Sequence, residues 1–158
     1  MKFNYLCLIL FPLGLSACQS VPPDCGQLPD DALVGNAGCM ILDNGRLLMV
    51  QQRVSGRWSM PGGTGETGER AACTALRETQ EETGLQVTLK HRVATLPNGF
   101  HLYRCDADGD AGGGALDQFE ISGWRFYSEQ ERAGIVWRFE AQHGLIDQLV
   151  REQIARDD

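Results

Sequence analysis

The stretch from Gly62 to Leu85, GGTGETGERAACTALRETQEETGL, constrains this chain more than any other. Glycines at 62, 63, 65 and 68 call for a loop at its start, since glycine accepts backbone angles and close approaches that other residues resist. From about Glu69 to Thr83 the pattern turns helical, and Gly84 stands where a left-handed cap would end the helix. At about 100° per residue, Ala72, Ala75, Leu76, Thr79 and Thr83 gather on one stripe, small enough to lie close on a sheet. Glu78, Glu81 and Glu82 gather on another. Like charges at these spacings cost about 0.2–0.5 kcal/mol per pair. A solvated acidic face is one reading of such a stripe. Carboxylates converging on a divalent cation is the other, and hard oxygen donors favour Mg2+ or Mn2+.

The spacing around the helix favours the second reading. Gly63 is followed by five residues and Glu69, then by seven residues and Arg77-Glu78-Thr79-Gln80-Glu81-Glu82-Thr83-Gly84-Leu85. This run resembles the signature of the Nudix hydrolase family, G-x5-E-x7-R-E-U-x-E-E-x-G-U with U apolar, and Thr79 stands at the first U. Just upstream, RWSMPGG resembles the family's W-x-L-P-G-G. The resemblance implies an α/β fold, a Nudix-like α/β/α sandwich with a mixed β-sheet. It implies hydrolysis of diphosphate bonds in nucleoside diphosphate-linked (NDP-X) substrates with Mg2+ or Mn2+. Glu78, Glu81, Glu82 and the main-chain carbonyl of Gly62 match the family's metal ligands. Glu78 and Glu81 are the catalytic carboxylates this implies, with Glu78 a candidate general base. Gly63, Glu69, Arg77 and Gly84 would support the loop and helix. A non-catalytic, ligand-binding lipoprotein of the same fold is the alternative, although it has no evident use for the full glutamate cluster.

The remaining elements are coarser. Apolar runs on either side of Asp43-Asn44-Gly45 predict a hairpin, because both turn positions tolerate positive φ. A short strand is expected at Trp58 to Met60. LQVTLKHRVATL and FHLYRC read as two strands about the Pro97-Asn98-Gly99 turn, QFEISGWRFYS as another, and Phe139 to Arg156 as an amphipathic helix. Strands and helices in this order predict a mixed sheet with helices against it. Arg53 and Arg57 flank a glycine-containing loop from which they would reach substrate phosphates. Glu120 is a candidate extra acid near the metal. Trp58, Phe100 and Trp124 are read as core residues before base-stacking ones. Asp106, Asp108, Asp110 and Asp117 only partly match a calcium loop, with Ala111 where glycine is needed. His91, His101 and His143 show no catalytic spacing.

The first residues, MKFNYLCLILFPLGLSAC, place Lys2 before an apolar run too short to span a bilayer comfortably. Leu15-Ser16-Ala17-Cys18 resembles a bacterial lipobox. Residues 1–17 are thus expected to be a signal peptide and Cys18 a lipidated residue. Residues 18–32 would be a flexible tether, reaching roughly 45 Å if extended, and 33–156 the catalytic domain. The implied address is the cell envelope, on the outer membrane facing the periplasm. There the soluble domain is held by lipid and meets small diphosphates such as nucleotide sugars, ADP-ribose or dinucleotides. A formal charge of −7 argues against nucleic-acid binding. Oligomeric state has no sequence signal. An exported chain permits disulfides among Cys25, Cys39, Cys73 and Cys105. Three full pairings exist, and Cys25 with Cys39 would tie the tether to the first strand.

Overall fold

Alternation of side chains along the central strands creates two buried faces at once. In β1 (Ala37–Asp43), Cys39 and Ile41 face one way and Met40 the other; in β2 (Arg46–Gln52), Leu48 and Val50 oppose Leu47 and Met49. All of these are buried, so both faces of the sheet need a covering layer. The computed structural model describes Cys25, residues 32–108 and residues 119–157. The signal segment, Cys18, most of the tether, and Asp110 and Asp117 of the acidic stretch lie outside the described residues.

One covering layer is α1 (Ala71–Thr83), whose Ala71, Ala72 and Ala75 meet Ala37, Cys39, Ile41, Leu48 and Val50. The other is α3 (His143–Asp157), which brings Ile146, Leu149 and Val150 onto Met40, Leu47, Met49 and Leu102. The expected sandwich is therefore present. The expected small stripe of α1 is buried in full: Ala72, Ala75, Leu76, Thr79 and Thr83. Gly84 ends α1 at φ 72°, its N–H donating to the carbonyl of Gln80.

The remaining strands are β3 (Trp58–Ser59), β4 (Gly62–Gly63), β5 (Val87–Thr95), β6 (His101–Ala107) and β7 (Ile121–Tyr127). Their order is β3-β2-β1-β6-β5, with β4 paired to β1 and β7 to β2. The Asn-Gly hairpin forms as expected: Asn44 and Gly45 take φ of 48° and 73°, and Asp43 pairs with Arg46. β1 and β6 run parallel, and the other pairings are antiparallel, so the sheet is mixed.

Three sequence expectations are corrected in detail. The helix read from Glu69 begins at Ala71, because Glu69 turns its carboxylate back to accept from the Glu66 N–H and the Thr74 hydroxyl. The terminal helix read from Phe139 begins as a 3-10 turn at Glu140 and becomes α-helical at His143. The Cys25–Cys39 pairing does not occur. Cys39 is fully buried on the α1 face of the sheet and bonds to Cys105 on the neighbouring parallel strand. Cys25 instead bonds to Cys73 in the first turn of α1, and the Arg70 guanidinium donates to the Cys25 carbonyl. A further helix absent from the sequence reading, α2 (Glu129–Arg132), starts with a capping box between Ser128 and Glu131.

Candidate active site

The site lies where β4 meets the C-terminal half of α1. Gly62 pairs with Gly38 of β1, and its N–H donates to Glu82 Oε2 at 2.8 Å. Glycine is required at both β4 positions. A Cβ on Gly62 would strike Gly38 and the Ala37 carbonyl, and a Cβ on Gly63 would strike the Glu78 carboxylate. The loop and the helix are thus fitted to each other through two glutamates.

Arg77 braces the arrangement. Its Nε and Nη2 donate to the two oxygens of Glu69 at 3.0 and 2.9 Å, and Nη2 also reaches the Thr64 carbonyl at 3.1 Å. Its Nη1 donates to Glu78 at 2.9 Å and to Glu81 at 3.2 Å. Such a fork-to-carboxylate pair fixes direction as well as distance. The hydrogen bond from Arg77 holds the Glu69 carboxyl down at about 2. The supporting roles expected of Glu69 and Arg77 have this geometry.

The acidic stripe divides in two. Glu82 is 5% exposed, and burial pushes its carboxyl up to about 8, despite the Gly62 hydrogen bond. Burial also raises Glu78, against the pull of Arg77. Glu81 is half exposed and leans on Arg77. The charge of Glu120 raises both Glu78 and Glu82, so this residue from the entry to β7 belongs to the same field. Among the described residues no three metal-ligating side chains close around one point. The residues nonetheless fit a hard divalent cation. Glu78, Glu82 and Glu120 are oxygen donors; the charge of Glu120 raises both Glu78 and Glu82, that of Glu78 raises Glu82, and a cation among them would relieve that cost.

The other candidates have partners of their own. Arg53 donates through its N–H to the Glu120 carbonyl and through Nη2 to the Ile121 carbonyl, at 2.8 and 2.9 Å. It thereby positions Glu120. Arg57 is exposed, and its backbone closes the β2–β3 loop onto Gln52 and Ser55. Trp124 donates Nε1–H to the Thr83 carbonyl at 2.9 Å and so pins the end of α1 to β7. Trp58 sits edge-on to Tyr127, and Phe100 fills the space over Gly38 and Gly62. All three expected core aromatics therefore have packing roles. His91, His101 and His143 lie in polar pairs with Gln153, Thr95 and Asp147 respectively. Of the acidic stretch, Asp106 pairs with Lys90 and Arg104, and Asp108 accepts from Thr88. Arg138 was missed from sequence. Its charge reaches Glu82, and its only signal in the chain is an arginine between Trp137 and Phe139.

A mixed sheet between helices, with a glycine loop locked to a carboxylate-bearing helix, defines the class of this domain. The family model described as the NUDIX domain matches residues 33–145, and the chain belongs to that family. Over 60 residues it is 43% identical to Nucleoside diphosphate-linked moiety X motif 6 of Xenopus laevis, covering 36% of this chain and 28% of that protein. Over 81 residues it is 31% identical to a MutT-like protein of Streptomyces ambofaciens, covering 48% of this chain and 53% of that one. The chain thus matches less than two thirds of the length of either relative. A solved ADP-ribose pyrophosphatase of Streptococcus suis superposes with a TM-score of 0.65 at 20% identity, over 75% of this chain and 90% of that chain. At that identity the likeness establishes the shared fold.

Proposed function

We propose that this chain is a divalent-metal-dependent hydrolase of diphosphate bonds in NDP-X substrates. The observation that carries this reading is the buried Glu82, held by Gly62 and placed in one electrostatic field with Glu78 and Glu120. Glu78, Glu81, Glu82 and the Gly62 carbonyl would hold Mg2+ or Mn2+, with Glu120 as a further donor. The bound cation supplies charge neutralisation at the phosphates and a lowered pKa for water. The chain's own residues supply the rest. Arg77 and Glu69 fix the loop, so the glutamates keep their positions as substrate arrives. Burial keeps bulk water from Glu82. A water oxygen bonds to phosphorus, the bridging P–O bond breaks, and the water proton passes to a carboxylate. Glu78, whose proton affinity burial raises, suits that acceptor role. Products are a nucleoside monophosphate and a phosphorylated X, or an equivalent pair.

The same reading places the enzyme outside the cytoplasm, anchored through Cys18 to the envelope. Two disulfides in one small domain support an oxidising compartment. Reachable substrates there include nucleotide sugars, ADP-ribose and dinucleotides.

A panel of NDP-X compounds assayed with Mg2+ or Mn2+ tests the activity. Metal-dependent release of monophosphate is expected, and Glu82→Gln should abolish it with the fold retained. No turnover of any diphosphate would favour the non-catalytic, ligand-binding alternative. For the address, Cys18→Ala should move the protein out of the membrane fraction or block processing. Unchanged membrane extraction would exclude lipidation at this residue.

A further inference from the structure

The segment Val136 to Arg138 runs beside β3. The Trp58 N–H donates to the Val136 carbonyl at 2.9 Å, and the Arg138 N–H donates to the Trp58 carbonyl at 2.7 Å. Trp58 and Trp137 form a parallel bridge. The segment is therefore fixed in register next to the strand that leads through Met60 and Pro61 into Gly62 and Gly63. Trp137 is buried in the α3-side core. Alternation across this bridge sends the flanking Val136 and Arg138 side chains away from that core, and both are exposed. The charge of Arg138 reaches Glu82 and offsets part of its burial.

Yet Arg138 is exposed, and among the described residues it forms no ion pair and no side-chain hydrogen bond. Its guanidinium lies over the ring of Phe139, 5.2 Å from the centroid. Phe139 itself is 47% exposed, so the pair faces water. An arginine beside a carboxylate cluster usually closes onto it, as Arg77 does here. Arg138 instead keeps five donors available while standing within reach of the cluster's field. A planar fork of this kind suits the oxygens of a phosphate, which it can engage in two parallel hydrogen bonds.

We propose that Arg138, backed by Phe139, binds a phosphate of the substrate's diphosphate group opposite the glutamates of α1. This rests on the diphosphate-hydrolase reading and adds the positive side of the site. In a chain of net charge −7, such a group gives an anionic substrate a local attraction at an otherwise acidic centre.

The test measures binding of the non-hydrolysable α,β-methylene-ADP by calorimetry, with Mg2+ present, in the whole protein. Arg138→Ala should weaken binding about 10- to 100-fold, the range for a hydrogen-bonded charged group. Arg138→Lys should fall between the two, since it keeps the charge and loses the fork. Melting temperature should change little, because the side chain is exposed and, among the described residues, forms no ion pair or side-chain hydrogen bond. Equal affinity in wild type and Arg138→Ala overturns the proposal, and so does absence of binding by the wild type. Turnover of NDP-X compounds is scored separately. Binding that depends on Arg138 in a protein without turnover keeps this inference and removes the hydrolase reading. Turnover with KM and affinity unchanged in Arg138→Ala does the reverse.

Discussion

Glu82 concentrates the physical tension of this domain. Its carboxyl titrates at about 8 in the folded chain, against 4.5 when solvated. Between those values the folded state keeps a proton that the unfolded state has lost. The folded state then binds more protons, so stability falls as pH rises through that window. Burial raises Glu78 as well, which adds to the same slope. Glu69 works the other way at the acid end. Its carboxyl is held at about 2, so its contribution is complete above pH 4.5 and is lost as pH falls towards 2. Without divalent metal, the melting temperature should decline from pH 5 to pH 8.5. Glu82→Gln should flatten that decline, because an amide cannot ionise, and should abolish Mg2+-dependent turnover. Superimposable melting curves across that pH range for the two proteins would refute the assignment. Thr79 offers a second residue-level test. It is fully buried, stands where the family pattern has an apolar residue, and its hydroxyl has no hydrogen-bond partner among the described residues. Thr79→Val keeps the shape and removes the orphaned group. It should stabilise the protein by about 1 kcal/mol in urea titration, and a loss of stability would contradict this account.

At the scale of elements, the β4–α1 pair is held by what a glycine leaves out. The Glu78 carboxylate occupies the space that a Cβ on Gly63 would need. Gly63→Ala should displace that carboxylate and lower turnover by about 100-fold, the penalty for an ångström-scale misplacement. Gly68 is the control. It has φ 77° and open space around it, so Gly68→Ala should cost about 1 kcal/mol of stability and leave kcat in place. Equal kcat losses in the two variants would show that loop strain, and not the Glu78 contact, limits turnover. These same elements show what the chain discloses and what it conceals. The α1 stripe, its Gly84 cap and the Asn44-Gly45 turn are legible because their causes are local: periodicity and positive φ. The grouping of glutamates with Arg77 and Glu69 is legible from fixed spacing. The start of α1 is not, because Glu69 stays outside the helix to accept from Glu66, Thr74 and Arg77 together. The parallel pairing of β1 with β6 and the placing of Arg138 beside β3 arise from contacts between distant segments. No window of sequence contains both partners. The Ser128–Glu131 capping box is local, but its Ser128 also closes the strand pattern QFEISGWRFYS, which hides the helix start.

The two disulfides divide the whole molecule into a staple and a strap. Cys39–Cys105 closes a separation of 66 residues at the centre of the sheet, and both cysteines are fully buried. Cys25–Cys73 closes 48 residues and joins the tether to the first turn of α1, where both cysteines are partly exposed. Thiolate attack needs access to sulfur, so burial sets the order of opening. A mild reductant at native conditions should open Cys25–Cys73 first, with α1, the sheet and the glutamate site intact and NDP-X turnover unchanged. Cys39–Cys105 should open only as the domain unfolds. Alkylation followed by mass spectrometry reports the order, and the same samples report activity. Once the central bond is open, the unfolded chain regains loop freedom, and the denaturation midpoint should correspond to a loss of about 4 kcal/mol or somewhat less. The double variant Cys25→Ser/Cys73→Ser should match the mildly reduced wild type in turnover. If it instead loses activity along with α1 helicity, the strap holds the glutamate helix in place. The segment around Cys25 would then be part of the catalytic domain.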